Sequence, residues 1–375
     1  MVFGNRSARR AFIALAPAAF ICFLATNALA KGASEDATTF QVNSSHDGNV
    51  VFAAGFSAPL AKAWTYDTGG TVTFPLIARG ALYIVSSGDD VFALNLADGS
   101  KLWEHLLGEN GNLGAYDDGM LFFNSGVQIS ALKAKNGKPA WSVAESASGS
   151  PVAGNSTAPI ALKGTVYLTG SLNVTAYNEK TGAFKWSQLI IATSSQVAYG
   201  DGGIYAGGPS QYYKFDAVDG SLLWQNSGCC HGGGGIAVNY FKNRVYLVDW
   251  AEGNFALRSE DGTATGSFPG STPPTFFSIG KRGFELVISN GKLFCQDVKT
   301  GNVVWSFSNK SLSGQPIVIN GQPIVTAGNS IYMLDGATGS QLWTDDVGAQ
   351  ITSLNAGDGV LAVTTGSSVI VYKPQ

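Results

Sequence analysis

The sequence predicts an all-β fold in which four-stranded units close into a ring, and three observations carry this prediction. One phrase returns along the chain: a β-rich run, a polar turn that ends in Gly, and a Trp four residues later. The turn glycines stand at positions 99, 137, 182, 220, 262, 301 and 339, which are 38 to 45 residues apart. A period of this length indicates a repeated supersecondary unit. The two ends of the chain carry complementary half-units.

The Trp at the end of each phrase predicts how the units pack. The first full copy runs from Val91 to Trp103, and an incomplete copy ends at Trp64. Seven of the eight Trp residues end a copy: Trp64, Trp103, Trp141, Trp186, Trp224, Trp305 and Trp343. The copy at Gly262 has Gly266 where the others have Trp. A large ring at one fixed place in every outer strand is expected to pack between neighbouring units.

The turn before each Trp has the chemistry of a β-hairpin. An Asx residue precedes the turn glycine by four positions at Asn95, Asn178, Asp216, Asp297 and Asp335. Its side chain can accept hydrogen bonds from turn amides, while Gly takes the positive φ. Short runs rich in Val, Ile, Tyr and Phe lie upstream of each turn and predict a further pair of strands. No helical periodicity follows residue 30.

The half-units predict how the ring closes. Residues 61–65 form a fourth strand without a third, and residues 368–372 form a third strand without a fourth. Pairing them completes an eighth unit and removes the exposed edge of an open array. We therefore predict a single eight-bladed β-propeller over residues 57–375, preceded by a partly irregular segment at 31–56.

Residues 1–30 have the pattern of a secretory signal. Arg6, Arg9 and Arg10 are basic, residues 11–24 are apolar, and residues 28–30 read Ala-Leu-Ala. This order is typical of a cleaved signal peptide. The mature chain is expected to begin after Ala30 and to be periplasmic or secreted, by the Sec or the twin-arginine route.

Composition excludes several classes of partner. Removing three arginines from the 23 Lys and Arg leaves 20 against 26 Asp and Glu, a net charge of −6. Nucleic acid is excluded because it requires a basic surface. The mature chain has no apolar run long enough to cross a bilayer. The three His residues show no metal-ligand spacing, so no metal site is expected. A soluble monomer is predicted.

The repeat resembles that of the pyrroloquinoline quinone (PQQ) propeller family. Residues 331–343, Ile-Tyr-Met-Leu-Asp-Gly-Ala-Thr-Gly-Ser-Gln-Leu-Trp, are the closest copy of its pattern. The resemblance covers residues 57–375 and implies the eight-bladed fold. The family contains quinoprotein dehydrogenases and also the outer-membrane assembly propeller BamB, which binds protein without a cofactor. Fold therefore does not decide the function.

The least repetitive stretch, residues 227–235, contains Cys229, Cys230 and His231. Quinoprotein dehydrogenases carry an adjacent cysteine pair oxidised against PQQ, so the resemblance implies this role for Cys229 and Cys230. Two ordinary thiols, or a pairing of one of them with Cys295, remain as alternatives. Cys295 lies mid-strand and is expected to be a buried, unreactive thiol.

A second irregular stretch surrounds Trp250, the one Trp outside the phrase. Trp250 would line the same mouth as the cysteines, or would fill space. Asp249 and Glu252 are expected to be exposed turn acids; as alternatives they could act as a base or bind calcium. Together with His231 they are the candidate catalytic residues, although no catalytic set can be assigned.

Three hypotheses follow. The first is an exported propeller that binds protein or glycan as a scaffold, without catalysis or cofactor. The second is a compact PQQ-dependent alcohol or sugar dehydrogenase, with calcium, and with Cys229, Cys230 and Trp250 at the quinone. The third is a polysaccharide lyase or hydrolase, for which the sequence shows no carboxylate pair.

Overall fold

The computed structural model describes residues 35–87, 90–107, 112–125, 128–144, 158–170, 173–190, 196–208, 211–227, 236–249, 253–309 and 311–375, together with Met1. Among these residues no helix has the length and apolar character needed to cross a membrane. The strands of this part of the chain, in order, are β1 (Asn49–Val50), β2 (Leu60–Asp67), β3 (Leu76–Ala78), β4 (Ala81–Val85), β5 (Asp90–Asn95), β6 (Lys101–Leu106), β7 (Asn112–Asp117), β8 (Met120–Asn124), β9 (Gln128–Lys133), β10 (Pro139–Ala144), β11 (Ile160–Leu162), β12 (Thr165–Thr169), β13 (Asn173–Asn178), β14 (Phe184–Leu189), β15 (Ala198–Gly200), β16 (Gly203–Gly208), β17 (Gln211–Asp216), β18 (Leu222–Ser227), β19 (Ile236–Phe241), β20 (Arg244–Asp249), β21 (Gly253–Arg258), β22 (Ala264–Gly266), β23 (Thr275–Ile279), β24 (Arg282–Ser289), β25 (Lys292–Asp297), β26 (Val303–Phe307), β27 (Ser313–Ile319), β28 (Gln322–Ala327), β29 (Ser330–Leu334), β30 (Gln341–Asp346), β31 (Ile351–Gly357), β32 (Val360–Thr365) and β33 (Ser368–Pro374).

The described strands form eight sheets, the blades, which we number in chain order. Blades 1 to 7 each use four consecutive antiparallel strands: β3–β6, β7–β10, β11–β14, β15–β18, β19–β22, β23–β26 and β27–β30. In blade 7 the short β1 adds a fifth strand, parallel to β27. The first strands of most neighbouring blades contact each other, so they surround the ring axis and the fourth strands form the rim. The predicted all-β, eight-bladed propeller is confirmed.

Blade 8 joins the two ends of the propeller. It combines β31, β32 and β33 with β2 as its outermost strand. β2 runs antiparallel to β33 and places Trp64 opposite Val371. The predicted closure is therefore confirmed.

Tryptophans close most of the seams between blades. Six indole N–H groups donate to a backbone carbonyl of the next blade: Trp64 to Leu96, Trp103 to Ala134, Trp141 to Glu179, Trp186 to Ala217, Trp224 to Ser259 and Trp305 to Gly336. Each of these rings also covers the turn glycine of that blade. Trp343 instead meets the Tyr372 ring of blade 8 edge-on at 5.4 Å. The predicted packing of the Trp residues between blades is observed.

The turn glycines are required for two reasons, which Gly262 illustrates. Its φ is +71°, a value that L side chains rarely adopt. A Cβ there would lie 2.7 Å from the Trp224 ring. The expected Asx bonds are also present: the Asp335 carboxylate accepts from the amides of Ala337 and Thr338.

Residues 35–52, which we call the N-terminal segment, run around the ring along the first strands, at the downstream ends of most of them. The segment bonds with every blade in turn. From blade 8 through blades 1 to 7 the pairs are Glu35–Asp358, Ala37–Ile77, Thr38–Tyr116, Thr39–Pro159, Ser44–Tyr199, Ser45–Tyr240, Asp47–Phe276 and Gly48–Val318. The circuit closes where the Ala53 amide donates to the Glu35 carboxylate at 2.7 Å. The segment thus ties all eight blades together at one end of the axis.

Candidate functional site

A cavity of about 420 Å³ lies on the ring axis. It is next to the N-terminal segment, on the side where the first strands begin. Its described wall consists of residues at or just before the starts of first strands, with one residue of β28: Gln196, Ala237, Ser271, Thr272, Pro273, Ser313, Gly314, Gln315, Thr326, Ile351, Thr352, Ser353 and Leu354. All of these side chains are uncharged. The cavity can therefore offer hydrogen bonds and apolar contact, but its described lining offers no ion pair.

The N-terminal segment supplies Phe40 and Gln41 to the cavity lining. His46 anchors this part of the segment, with Nδ1 2.7 Å from the Phe40 carbonyl oxygen and Nε2 2.8 Å from that of Val197. Burial lowers the pKa of His46, and the two carbonyls oppose part of that shift. The His46 ring thus lies between the Phe40 carbonyl of the N-terminal segment and the Val197 carbonyl of blade 4, and holds Phe40 beside that blade.

Buried polar side chains link the first strands around the axis. Asn239 of blade 5 donates to the Pro274 carbonyl of blade 6, and Thr275 donates to the Pro316 carbonyl of blade 7. Asn355 of blade 8 donates to the Pro75 carbonyl of blade 1 at 2.8 Å. These bonds satisfy polar groups that burial would otherwise destabilise. They hold the cavity wall in place.

Most of the predicted site residues lie outside the described residues. Cys229, Cys230 and His231 belong to the link between β18 and β19, and Trp250 and Glu252 to the link between β20 and β21. Their roles therefore stay predictions.

Asp249 is the one predicted site residue that the structure describes. It ends β20 and is only 2% exposed, so the expectation of an exposed turn acid was wrong for this residue. The Tyr212 hydroxyl of blade 4 donates to its Oδ2 at 3.0 Å. Asp249 is absent from the cavity lining and instead links blades 4 and 5.

Cys295 is a free, fully buried thiol, as expected. Burial, followed by the nearby Glu285 carboxylate, raises its pKa to about 12. Because the thiolate is the reactive form, this residue is unreactive near neutral pH.

The structure brings together two acids, Asp117 and Glu179, whose proximity the sequence did not reveal. Burial, and then the neighbouring Asp117 carboxylate, raises the pKa of Glu179 to about 7. Asp117 ends β7, at the side of the ring where the N-terminal segment lies. The pair is therefore remote from the cavity mouth, and Glu179 also accepts the Trp141 indole N–H through its carbonyl. An alignment of the repeats could have suggested this pair of acids, because Glu179 stands at the repeat position that the apolar residues Leu96 and Ala217 occupy in other blades.

The sequence model described as outer membrane protein assembly factor BamB matches residues 44–196 and 279–375, which together exceed half of the chain. The chain belongs to the BamB family. BamB from Moraxella catarrhalis superposes with a TM-score of 0.67 at 14% identity, over 84% of this chain and all of that one.

Quinoproteins are also similar to this BamB-family chain. Quinohemoprotein alcohol dehydrogenase from Comamonas testosteroni superposes with a TM-score of 0.69 at 14% identity, covering 90% of this chain and 80% of that one. Quinoprotein alcohol dehydrogenase PedH of Pseudomonas putida is 25% identical over 226 residues, 52% of this chain. That match spans only 36% of PedH. The structural likeness shows the shared fold.

The described cavity lining does not fit PQQ with calcium. The quinone carries carboxylates, and calcium prefers carboxylate and carbonyl oxygens. The lining side chains in the described ranges carry no charge. Nor do the described residues contain a group of three or more His, Cys, Asp or Glu able to hold a metal ion. This part of the cavity is suited to an uncharged ligand.

Proposed function

We propose that this BamB-family chain is an exported, monomeric scaffold that binds a protein or glycan ligand and catalyses no reaction. One observation carries the proposal: the axial cavity is lined, in its described part, by uncharged amide, hydroxyl and apolar groups. Catalysis by acid, base or metal requires titratable or ligating groups in the site. A lining of this kind favours recognition over reaction.

The N-terminal segment supports the same proposal. Its bonds to all eight blades hold the first strands in a fixed arrangement. A rigid wall lowers the entropic cost of binding, because few groups have to be ordered. A ligand would enter from the end of the ring opposite the segment.

A second candidate function, a compact PQQ-dependent alcohol or sugar dehydrogenase, is favoured by the similarity to PedH. In that case Cys229, Cys230 and Trp250 would hold the quinone, and Asp249, Glu252 or His231 would be the candidate bases. The quinone would accept the electrons of the oxidised alcohol. Buried Asp249, already bonded to Tyr212, is poorly placed to meet a substrate in the cavity.

A titration separates the two functions. The purified mature chain is mixed with PQQ and calcium chloride, and the absorbance of the quinone is followed. We expect no saturable change and no reduction of a dye acceptor by alcohols or sugars. Saturable PQQ binding would favour the dehydrogenase instead, provided that two variants behave as follows. The double variant Cys229→Ser/Cys230→Ser should abolish the binding, and Cys295→Ser should leave it intact.

Export can be tested separately. The chain with a C-terminal tag is produced in a Gram-negative host, and the periplasmic fraction is analysed by intact mass. The expected mass is that of a chain starting at Lys31. Retention of the full-length chain in the cytoplasm would contradict the predicted signal.

A further inference from the structure

Three buried polar atoms in the cavity wall have no hydrogen-bond partner among the described residues. They are the amide oxygen of Gln41, the amide nitrogen of Gln315 and the hydroxyl of Ser353. Gln41 is only 2% exposed. Buried polar atoms in native proteins almost always have a partner, so three in one cavity indicate a missing ligand or water.

The three atoms differ in what they require. The Gln41 oxygen only accepts, the Gln315 nitrogen only donates, and the Ser353 hydroxyl does both. A carboxylate has no proton to give to Gln41, and an ammonium group has no lone pair for Gln315. A hydroxyl group both donates and accepts. A ligand that carries several hydroxyls therefore satisfies all three.

The rest of the cavity is consistent with such a ligand. Thr272, Ser313 and Thr352 add hydroxyls to the wall, and Phe40 offers an apolar ring to C–H groups. The volume of about 420 Å³ lies within the range of about 300–1,000 Å³ that is usual for small-molecule sites. Since one water takes up about 30 Å³, the cavity is far larger than the hydration of three atoms requires.

We propose that the axial cavity binds a neutral saccharide, as a free sugar or as the end of a glycan chain. Phe40 and Gln41 of the N-terminal segment line the cavity at one end, so a glycan chain would enter from the other end. This inference rests on the proposed binding function and narrows its ligand to a glycan.

The test is isothermal titration calorimetry of the full mature chain with the neutral disaccharides maltose, cellobiose and chitobiose. Glucuronic acid and glucosamine are the charged comparisons. We expect saturable binding of at least one neutral disaccharide, and at least tenfold weaker binding of both charged sugars. Absence of heat with all three disaccharides, or equal binding of a charged sugar, would overturn the inference.

Two variants locate the binding. Gln315→Leu and Ser353→Ala each remove an unpartnered polar atom, so neither loses a hydrogen bond of the described fold, and each should weaken binding at least tenfold. Gln322→Leu is the matched control, because its amide oxygen is also buried without a described partner but lies outside the cavity lining. If Gln315→Leu and Ser353→Ala bind as tightly as the unmodified chain, the site is elsewhere and the inference fails.

The two proposals fail separately. A negative quinone titration with no saccharide binding retains the scaffold and removes the glycan, which leaves protein as its ligand. A positive quinone titration removes the scaffold itself, whatever the saccharides do.

Discussion

The seam between blades 4 and 5 and the seam between blades 5 and 6 differ in one residue of the repeat. In the first, the Trp224 indole donates to the Ser259 carbonyl at 2.9 Å and covers Gly262. In the second, Gly266 stands where the Trp would be, and no heavy atom of the described chain lies within 4 Å of a Cβ placed on Gly266 or on Gly301. The second seam therefore lacks both the ring and its hydrogen bond.

The loss of the Trp is accompanied by polar substitution on the facing blade. Glu285 and Gln296 form a cross-strand pair in blade 6. The corresponding pair in blade 5 is Val245 and Leu257, both fully buried. Other blades have Leu82–Leu94, Leu121–Leu132, Val166–Tyr177, Ile204–Phe215 and Leu361–Tyr372 at this place. The Trp and the apolar pair that it faces thus form one packing unit and are lost together.

Phe268 restores part of the missing contact. Its ring centre lies 5.9 Å from that of Tyr246, close to the 6.1 Å between Tyr205 and Trp224 in the intact seam. The Phe268 ring does not fill the space beside Gly301, the turn glycine of blade 6. The ring tolerates one weak seam because the N-terminal segment and the Asn239 side chain still join blades 5 and 6.

The largest effect is expected from opening an intact seam. Trp224→Ala removes a buried ring and its hydrogen bond, and should lower the free energy of unfolding by about 3–5 kcal/mol. Urea unfolding followed by far-UV circular dichroism measures this without relying on indole fluorescence. Leu223→Ala is the control, because the neighbouring Leu223 is 49% exposed and its loss should matter little. Equal effects of the two variants would show that the indole does not hold the seam.

A matched pair of glycines isolates the ring contact from backbone strain. Gly262 and Gly301 have nearly the same φ, +71° and +70°, so alanine costs each a similar amount, about 1–2 kcal/mol. Only at Gly262 would the new Cβ meet the Trp224 ring, at 2.7 Å. Gly262→Ala should therefore destabilise by a further amount of about 1–3 kcal/mol relative to Gly301→Ala. If the thermal unfolding midpoints of the two variants coincide, the Trp224 ring adds no packing constraint at Gly262 and the two seams are equivalent.

The repeat phrase was sufficient to predict the blades, because turn glycines, Asx residues and Trp are fixed by local backbone geometry and by one recurring contact. It also predicted the closure by β2 and β33, since the two half-units had to complete each other. Glu285 could have been found as well. Aligning the strands of blade 6 with the others places it among buried aliphatic residues, although its role requires knowledge of which face meets blade 5.

The cavity could not be predicted in the same way. The N-terminal segment makes its circuit mostly through backbone groups, which no side-chain pattern encodes. Asp249 is buried where blade 5 packs against blade 4, and the Tyr212 hydroxyl that donates to it comes from that other blade. The unpartnered atoms of Gln41, Gln315 and Ser353 come from the N-terminal segment and from the neighbouring blades 7 and 8, which are far from that segment in sequence. Such sites arise from tertiary geometry and leave no local signal.

The smallest effect concerns the acid in the weak seam. Burial raises the pKa of Glu285 to about 7 from its ordinary value of 4.5, with Arg244 opposing part of the shift. The folded state therefore holds this proton more tightly than the unfolded state, and stability falls as pH rises from about 4.5 to about 7. Glu285→Gln removes this pH-dependent loss of stability. The variant should be more stable than the unmodified chain at pH 8, by on the order of 1–3 kcal/mol, and the difference should vanish near pH 4. Urea unfolding at a series of pH values measures it, with exposed Glu260→Gln as the control for loss of one charge. The contributions of His46, Asp47 and Glu179 to the pH dependence of stability are the same in Glu285→Gln and in the unmodified chain, so they cancel when the two free energies of unfolding are subtracted. A difference between Glu285→Gln and the unmodified chain that stays constant across this pH range would mean that Glu285 is solvated, and that the seam between blades 5 and 6 is open to water.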